Sequence, residues 1–394
     1  MARSKKSLLG KNKRRKASME WIDIEDLRIL DNVLRTMLFY AYKDARKGGK
    51  RRTHDEHKFE VNLFENLRLL RRDLVNFMYK PSRSTAHIIY NPVIREIFSA
   101  PFRDRIIHHL VFATVYPWWD RHFIYDSYSC RDGKGTLFGI LRLEHHIRVV
   151  SHNFTRPAYI LKLDIEGYFM SLPRKELYQR AIWGLDKQFE GRTHTLTYKL
   201  MKYLWREIIF DDPVKGARKK GDLDGWHILP KRKSLFGQPK GKGIVIGNLT
   251  SQLLSNIYLD MLDRYVVFDL GYKHYGRYVD DFYIVVPEEQ KEQLKQDKRA
   301  VAKFLERKKL RLHPHKQLFV ESRQGVPFLG AVVYRGYIVP GKRLKTNMRK
   351  ACREVEMGYR DGVSIISYLG HMKNLDSHLA VKRIFDSVGW EYKH

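Results

Sequence analysis

Three carboxylates occupy positions from which they could do chemistry: Asp164, Asp280 and Asp281. Asp164 ends the run Tyr159-Ile160-Leu161-Lys162-Leu163, which reads as a buried strand. Asp280 and Asp281 lie within residues 274–286, HYGRYVDDFYIVV, where apolar positions alternate at period two. That pattern predicts a hairpin with both Asp side chains exposed at its tip. A strand-end carboxylate beside such a pair would build a cation cage on rigid backbone. Magnesium takes one or two protein carboxylates and completes its shell with water and phosphate oxygens. A pair of such ions supports phosphoryl transfer from a nucleoside triphosphate. A single Asp-Asp in a hairpin is also what an ordinary solvated turn looks like, so the surrounding elements decide.

Those elements come from a chain of 394 residues in which 43% are hydrophobic, enough for a folded core. Lys and Arg number 75 against 44 acids, a formal charge of +31. Such an excess calls for a polyanionic partner, nucleic acid first. There is no long apolar span and no signal-peptide pattern, so no membrane partner is expected. The two cysteines, Cys130 and Cys352, support neither a zinc site nor a disulfide framework, and a cytoplasmic location is the plain expectation.

Residues 1–16 hold eight Lys/Arg and no acid, which predicts a disordered basic tail. From Trp21 to Tyr79 apolar residues recur at helical spacing, as in Leu63, Leu67, Leu70 and Leu74. Strands are expected at 87–90 and from Ile97, broken by Pro92, followed by a helix over 102–115. Ser127–Thr136 is a Gly-punctuated basic loop entering a helix that runs to Val150. Residues 211–243, with nine Lys/Arg against four Asp, read as a long surface insertion near nucleic acid. A helix is expected over 247–266, a charged amphipathic helix over 288–309, a strand over 328–333 and a basic helical tail over 345–394.

The carboxylate segments carry a family resemblance. YVDD at 278–281 resembles the catalytic motif of reverse transcriptases, and LKLDIEGYF at 161–169 resembles their first palm motif. GKGIVIGNLTSQ at 241–252 resembles the intervening Gly loop, and FLGAVV at 328–333 the strand that grips the primer. All four occur in the family's order. Residues 91–111 and 123–136 resemble the fingers of bacterial reverse transcriptases. IGNLTSQ, and SYLGHMKNLDSHL at 367–379, resemble the diversity-generating retroelement enzymes. Related "unknown group" enzymes, several of them antiviral, share much of this pattern, and the sequence leaves the two lineages open.

The resemblance implies an α+β right-hand polymerase with an antiparallel palm sheet. The tail 1–16 and a helical region 17–80 would precede fingers at 81–157. The palm would span 158–340 with its insertion at 211–243, and a helical thumb would occupy 341–394. The implied reaction is the magnesium-dependent copying of RNA into cDNA from dNTPs, with Mn2+ able to substitute. Asp164, Asp280 and Asp281 would hold two ions, helped by the carbonyl of Ile165. Phe169 would be a steric gate against a ribose 2′-hydroxyl, or ordinary core. Arg95 would reach the triphosphate, or be a surface strand arginine. Lys316 would protonate pyrophosphate, or be a solvated lysine. Ile246, Gly247 and Gln252 would lie beside the incoming nucleotide. Arg131 and Lys134 would meet the template backbone, and Phe328, Leu329 and Gly330 the primer.

Departures from the family pattern are also visible. Val245 replaces a proline. Ile246 stands where retroviral and intron enzymes carry glutamine, which implies looser checking of the nascent pair. Val93-Ile94 stands where relatives carry a lysine. No HNH, RNase H or maturase region fits after the thumb. The implied partners are a dedicated structured non-coding RNA bound by tail, insertion and thumb, and either a small helical accessory oligomer or a partner polymerase or effector. A silent RNA-binding scaffold is the alternative from another class; the three intact carboxylates argue against it. Phe169 argues against an RNA-copying RNA polymerase.

Overall fold

β-branched and aromatic residues at alternating positions make the strands of this chain, and helical spacing of Leu and Ile makes its helices. The computed structural model describes residues 24–47, 53–90 and 93–392. The predicted tail 1–16 and the strand-breaking Pro92 lie outside the described residues.

Helices α1 (Leu27–Ala45), α2 (His54–Val61) and α3 (Leu63–Val75) come first, and Asp26 caps α1 by accepting from the backbone of Arg28 and Ile29. Strands β1 (Thr85–Ile89) and β2 (Arg95–Ser99) follow, then α4 (Phe102–His122) and α5 (Thr136–Val150). The next elements are β3 (Ala158–Ile165), the single turn α6 (Tyr168–Ser171), α7 (Arg174–Gln188) and α8 (Leu196–Phe210). Within the predicted insertion lie β4 (Arg218–Lys219) and the short α9 (Gly225–Ile228); α10 (Leu249–Arg264) comes after it. The rest comprises β5 (Tyr275–Tyr278), β6 (Asp281–Pro287), α11 (Lys291–Arg307), β7 (Leu312–Glu321), β8 (Val326–Phe328), β9 (Ala331–Val333), β10 (Ile338–Pro340), α12 (Lys342–Glu356), α13 (Val363–Met372) and α14 (His378–Asp386). The class is α+β, as expected. Among the described residues no helix is long and apolar enough to cross a membrane.

The chain divides into two compact units, one of Met1–Phe123 with Gly167–Met261, the other of Ile124–Glu166 with Leu262–His394. In the first, β1 is the centre of a three-stranded sheet ordered β2-β1-β4. In the second, a four-stranded sheet ordered β5-β6-β3-β7 is antiparallel throughout, beside a meander β10-β9-β8. Ala158, Ile160, Tyr283 and Val285 of the larger sheet share a buried core with Ile140, Leu143, Val326, Phe328 and Val333. A second core in this unit joins Met348, Cys352, Ile365, Met372, Val381 and Ile384 from the three terminal helices.

Two expectations change. The helix predicted over 102–115 continues to His122 with Pro117 inside it. The strand predicted over 328–333 is two strands, because Leu329 (φ 49°) and Gly330 (φ 90°) turn the chain back on itself. The segment read as a surface insertion is tied to the fold: β4 pairs in parallel with β1, and Leu229, Ser234 and Leu235 are buried.

Candidate active site

Hydrophobic burial sets the register that aligns the carboxylates. In the β3–β6 ladder Asp164 lies opposite Asp281, Lys162 opposite Tyr283 and Ile160 opposite Val285. Directly opposed residues point to the same face, so the apolar half of that face and its charged end are one row. A one-residue slip would turn Ile160 and Val285 out of the core along with the carboxylates, which is why the register holds. The amide of Ile165 donates to the carbonyl of Asp280 at 3.1 Å and laces the strand end to the hairpin turn.

The hairpin tip differs from the predicted one. Its two turn residues are Val279 and Asp280, and Asp281 already belongs to β6, paired with Tyr278. The pair is also not exposed: both residues are half-buried, and the Asp281 side chain keeps 21% of its exposure. Burial, and then the nearby charge of Asp164, push the Asp280 carboxyl up to about 6. Burial raises Asp281 as well, against the pull of Lys162. Two ammonium groups sit on this crowded anionic end. Lys162 Nζ lies 2.6 Å from Asp281 Oδ1, and Lys316 Nζ lies 3.0 Å from both oxygens of Asp164.

Like-charged carboxylates held together and already drawing cations are the chemistry that a divalent ion satisfies. Among the described residues no three His, Cys, Asp or Glu side chains converge tightly enough to hold an ion with protein ligands alone. In donor type alone, carboxylate oxygens crowded at one strand end, the set is of the kind that magnesium takes.

A buried ion pair fixes the tip. Arg277 and Asp263 are both fully buried, with Arg277 Nε and Nη2 donating to the two Asp263 oxygens at 2.6 and 2.7 Å. Tyr275 Oη also donates to Asp263, at 2.6 Å. Arg277 Nη1 then donates to the carbonyl of Val279 at 3.0 Å. Val279 has φ 56°, a left-handed conformation that a β-branched residue adopts only under constraint. The guanidinium thus holds the carbonyl of the strained residue preceding Asp280. On the face that carries the carboxylates, opposite to that of Arg277, Tyr283 Oη meets Tyr128 Oη at 2.8 Å, and Tyr128 Oη donates to Asp126 at 3.1 Å. Arg142 donates to both Asp126 oxygens, at 2.7 and 2.9 Å.

Of the predicted nucleotide residues, Lys316 lies on β7 beside Asp164, while Arg95, Phe169, Ile246, Gly247 and Gln252 fall in the other unit. The amide of Ile244 donates to the carbonyl of Phe169 at 2.9 Å, and that of Phe98 to the carbonyl of Ile246 at 3.0 Å. Phe169 and Ile246 are half-buried, and Arg95 and Gln252 are exposed. Of the predicted template residues, Arg131 donates to the carbonyls of Ile124 (2.6 Å) and Ser127 (3.1 Å), and Lys134 to that of Tyr125. Both therefore brace their own loop. Phe328 is buried in the core beside Tyr283, while Leu329 and Gly330 form the β8–β9 turn.

Residues 93–333, well over half of the chain, match the family described as reverse transcriptase (RNA-dependent DNA polymerase). The chain belongs to the reverse transcriptase family. It is also 24% identical to the protein YkfC of Escherichia coli (strain K12) over 211 residues, covering 52% of this chain and 47% of that one. It therefore spans about half the length of this relative. Among solved structures it resembles telomerase from Candida albicans with a TWJ fragment of telomeric RNA, at TM-score 0.47 and 12% identity, over 79% of this chain and 57% of that one. Apo telomerase from Candida tropicalis gives 0.44 and 13%, over 80% and 60%.

Sequence reasoning about this reverse transcriptase missed Asp263 and Arg277. The signal for Asp263 is a polar stripe, Asn256, Asp260 and Asp263, on a helix side that is otherwise apolar, and all three are buried. It also left Gly247 without a structural reason. At φ +127°, a Cβ there would come within 2.6 Å of the Phe98 carbonyl and 3.1 Å of Ile97 Cγ2. Gly247→Ala should therefore part the loop from β2 and cost about 1–3 kcal/mol. A lowered denaturant midpoint checks this; an unchanged midpoint would mean that the loop yields freely.

Proposed function

We propose that the chain is an RNA-directed DNA polymerase of the right-hand kind, copying a structured non-coding RNA into cDNA from dNTPs. The observation that carries the reading is the alignment of Asp164 and Asp281 on one sheet face, with Asp280 laced to the end of β3. Asp164, Asp280 and Asp281, with the carbonyl of Ile165, would hold magnesium, which when bound activates a primer hydroxyl and neutralises phosphate charge. Lys162, largely buried, stays with Asp281 as the site fills. Lys316, with 56% of its side chain exposed, is able to leave Asp164 and donate a proton to departing pyrophosphate. The family resemblance would give the triphosphate to the exposed Arg95 and the sugar to the half-buried ring of Phe169.

The finer assignment is to the diversity-generating type, supported by IGNLTSQ with its aliphatic Ile246 and by the segment at 367–379. A small helical accessory oligomer goes with that assignment. A silent scaffold is disfavoured by the three intact carboxylates gathered at the end of one strand pair. Phe169→Ala tests the sugar gate. On one RNA template the ratio of ribo- to deoxynucleotide incorporation should rise roughly tenfold or more as space opens beside C2′. An unchanged ratio at normal rate would reduce Phe169 to core filler.

A further inference from the structure

The insertion at 211–243 presents its charge in an ordered way. All nine of its basic residues are exposed: Lys215, Arg218, Lys219, Lys220, the run Lys231-Arg232-Lys233, Lys240 and Lys242. The acids among them are in part engaged. Asp222 accepts from Tyr90 Oη, Asp212 from the amide of Val214 at 3.3 Å, and Asp211 is half-buried. Lys219 lies over the rings of Trp226 (5.0 Å) and Phe236 (4.7 Å).

Beneath this surface is a buried carboxylate that the catalytic reading does not use. Glu96 of β2 is fully buried, next to Arg95. Its Oε1 accepts from Trp226 Nε1 at 2.8 Å and Ser234 Oγ at 2.7 Å, and its Oε2 from the amide of Leu235 at 2.6 Å. All three donors belong to the insertion. A buried carboxylate is stable only when its lone pairs are met, so the insertion is fastened where Glu96 sits. The flanking apolar contacts, Phe98 with Leu235 and Phe236, seal the same junction.

We propose that the Glu96-anchored insertion is a preformed docking surface for the phosphate backbone of folded RNA. The proposal rests on the reading of the chain as an enzyme that copies RNA, and it names where that RNA is held outside the copied stretch. Exposed cations on a fastened scaffold lose less freedom on binding than a loose loop would, and they read phosphate without base sequence. Glu96 is a positioning residue: it touches no RNA and acts through the backbone carrying Lys231, Arg232 and Lys233.

The test uses the full chain and a labelled hairpin RNA, with binding measured across a range of salt concentrations. Replacing Lys231, Arg232 and Lys233 together by alanine should lower the log–log salt slope by about two units, at roughly 0.7–0.9 per phosphate contact. Glu96→Gln removes no cation, yet it should weaken hairpin binding and speed tryptic cleavage within 231–233. An unaltered salt slope in the triple variant overturns the docking surface, whether the true partner is an acidic protein or none. Unaltered binding and cleavage in Glu96→Gln overturn the anchor. If the slope falls while wild-type protein extends no primer, the surface stands and the polymerase reading fails.

Discussion

Asp280→Asn with Asp281→Asn is expected to reduce RNA-templated primer extension by at least about a thousandfold, roughly 4 kcal/mol of transition-state stabilisation. Both carboxylates stand at the end of the β3–β6 ladder, where they crowd Asp164 and each other. Asparagine keeps their size and leaves the apolar half of the sheet face untouched. In metal-free buffer the variant should melt close to wild type, because the lost Lys162–Asp281 contact is offset by relief of repulsion. RNA binding should persist. Thermal melting, hairpin binding and extension measured on one preparation separate the outcomes. A variant that folds, binds and still extends would remove these residues from the chemistry; one that fails to fold would show that they are structural.

Arg277→Met is expected to have the largest effect on stability, about 3–5 kcal/mol, because it leaves the fully buried Asp263 without its guanidinium. Adding Asp263→Asn removes that uncompensated charge and keeps an acceptor for Tyr275, so the double variant should recover much of the loss. Activity should not recover with it. The carbonyl of Val279 has lost its donor in both variants, and a β-branched residue at φ 56° relaxes when released. The discriminating measurement is kcat against unfolding midpoint in the two variants. If kcat returns in step with stability, the pair is packing alone and Arg277 does not position the turn.

The carboxylate face was legible because period-two alternation forces it: once Ile160, Tyr283 and Val285 are inside, Asp164 and Asp281 share their side. The burial of Glu96 was missed, although Phe98 two residues on shares its strand face, because a carboxylate on a short strand suggests solvent. Arg277 could not be read in this way. Its burial depends on Asp263, fourteen residues earlier at the end of a helix, and no local pattern announces that meeting. The β8–β9 turn was hidden because Leu329 is a poor turn former, and only the following glycine hints at a positive φ. Arg131 and Lys134 read as template contacts because sequence shows a charge and not its partner, and the structure adds that both donate to carbonyls of their own loop.

This chain is expected to copy RNA into DNA. The most direct test supplies a heteropolymeric RNA of defined sequence, an annealed DNA primer, all four dNTPs and magnesium to the full-length protein, and sequences the product. DNA complementary to the template is expected beyond the primer, absent when magnesium is chelated and absent with Asp164→Asn. Primer left unextended by folded, RNA-bound protein, or untemplated tails that ignore the RNA sequence, would contradict it.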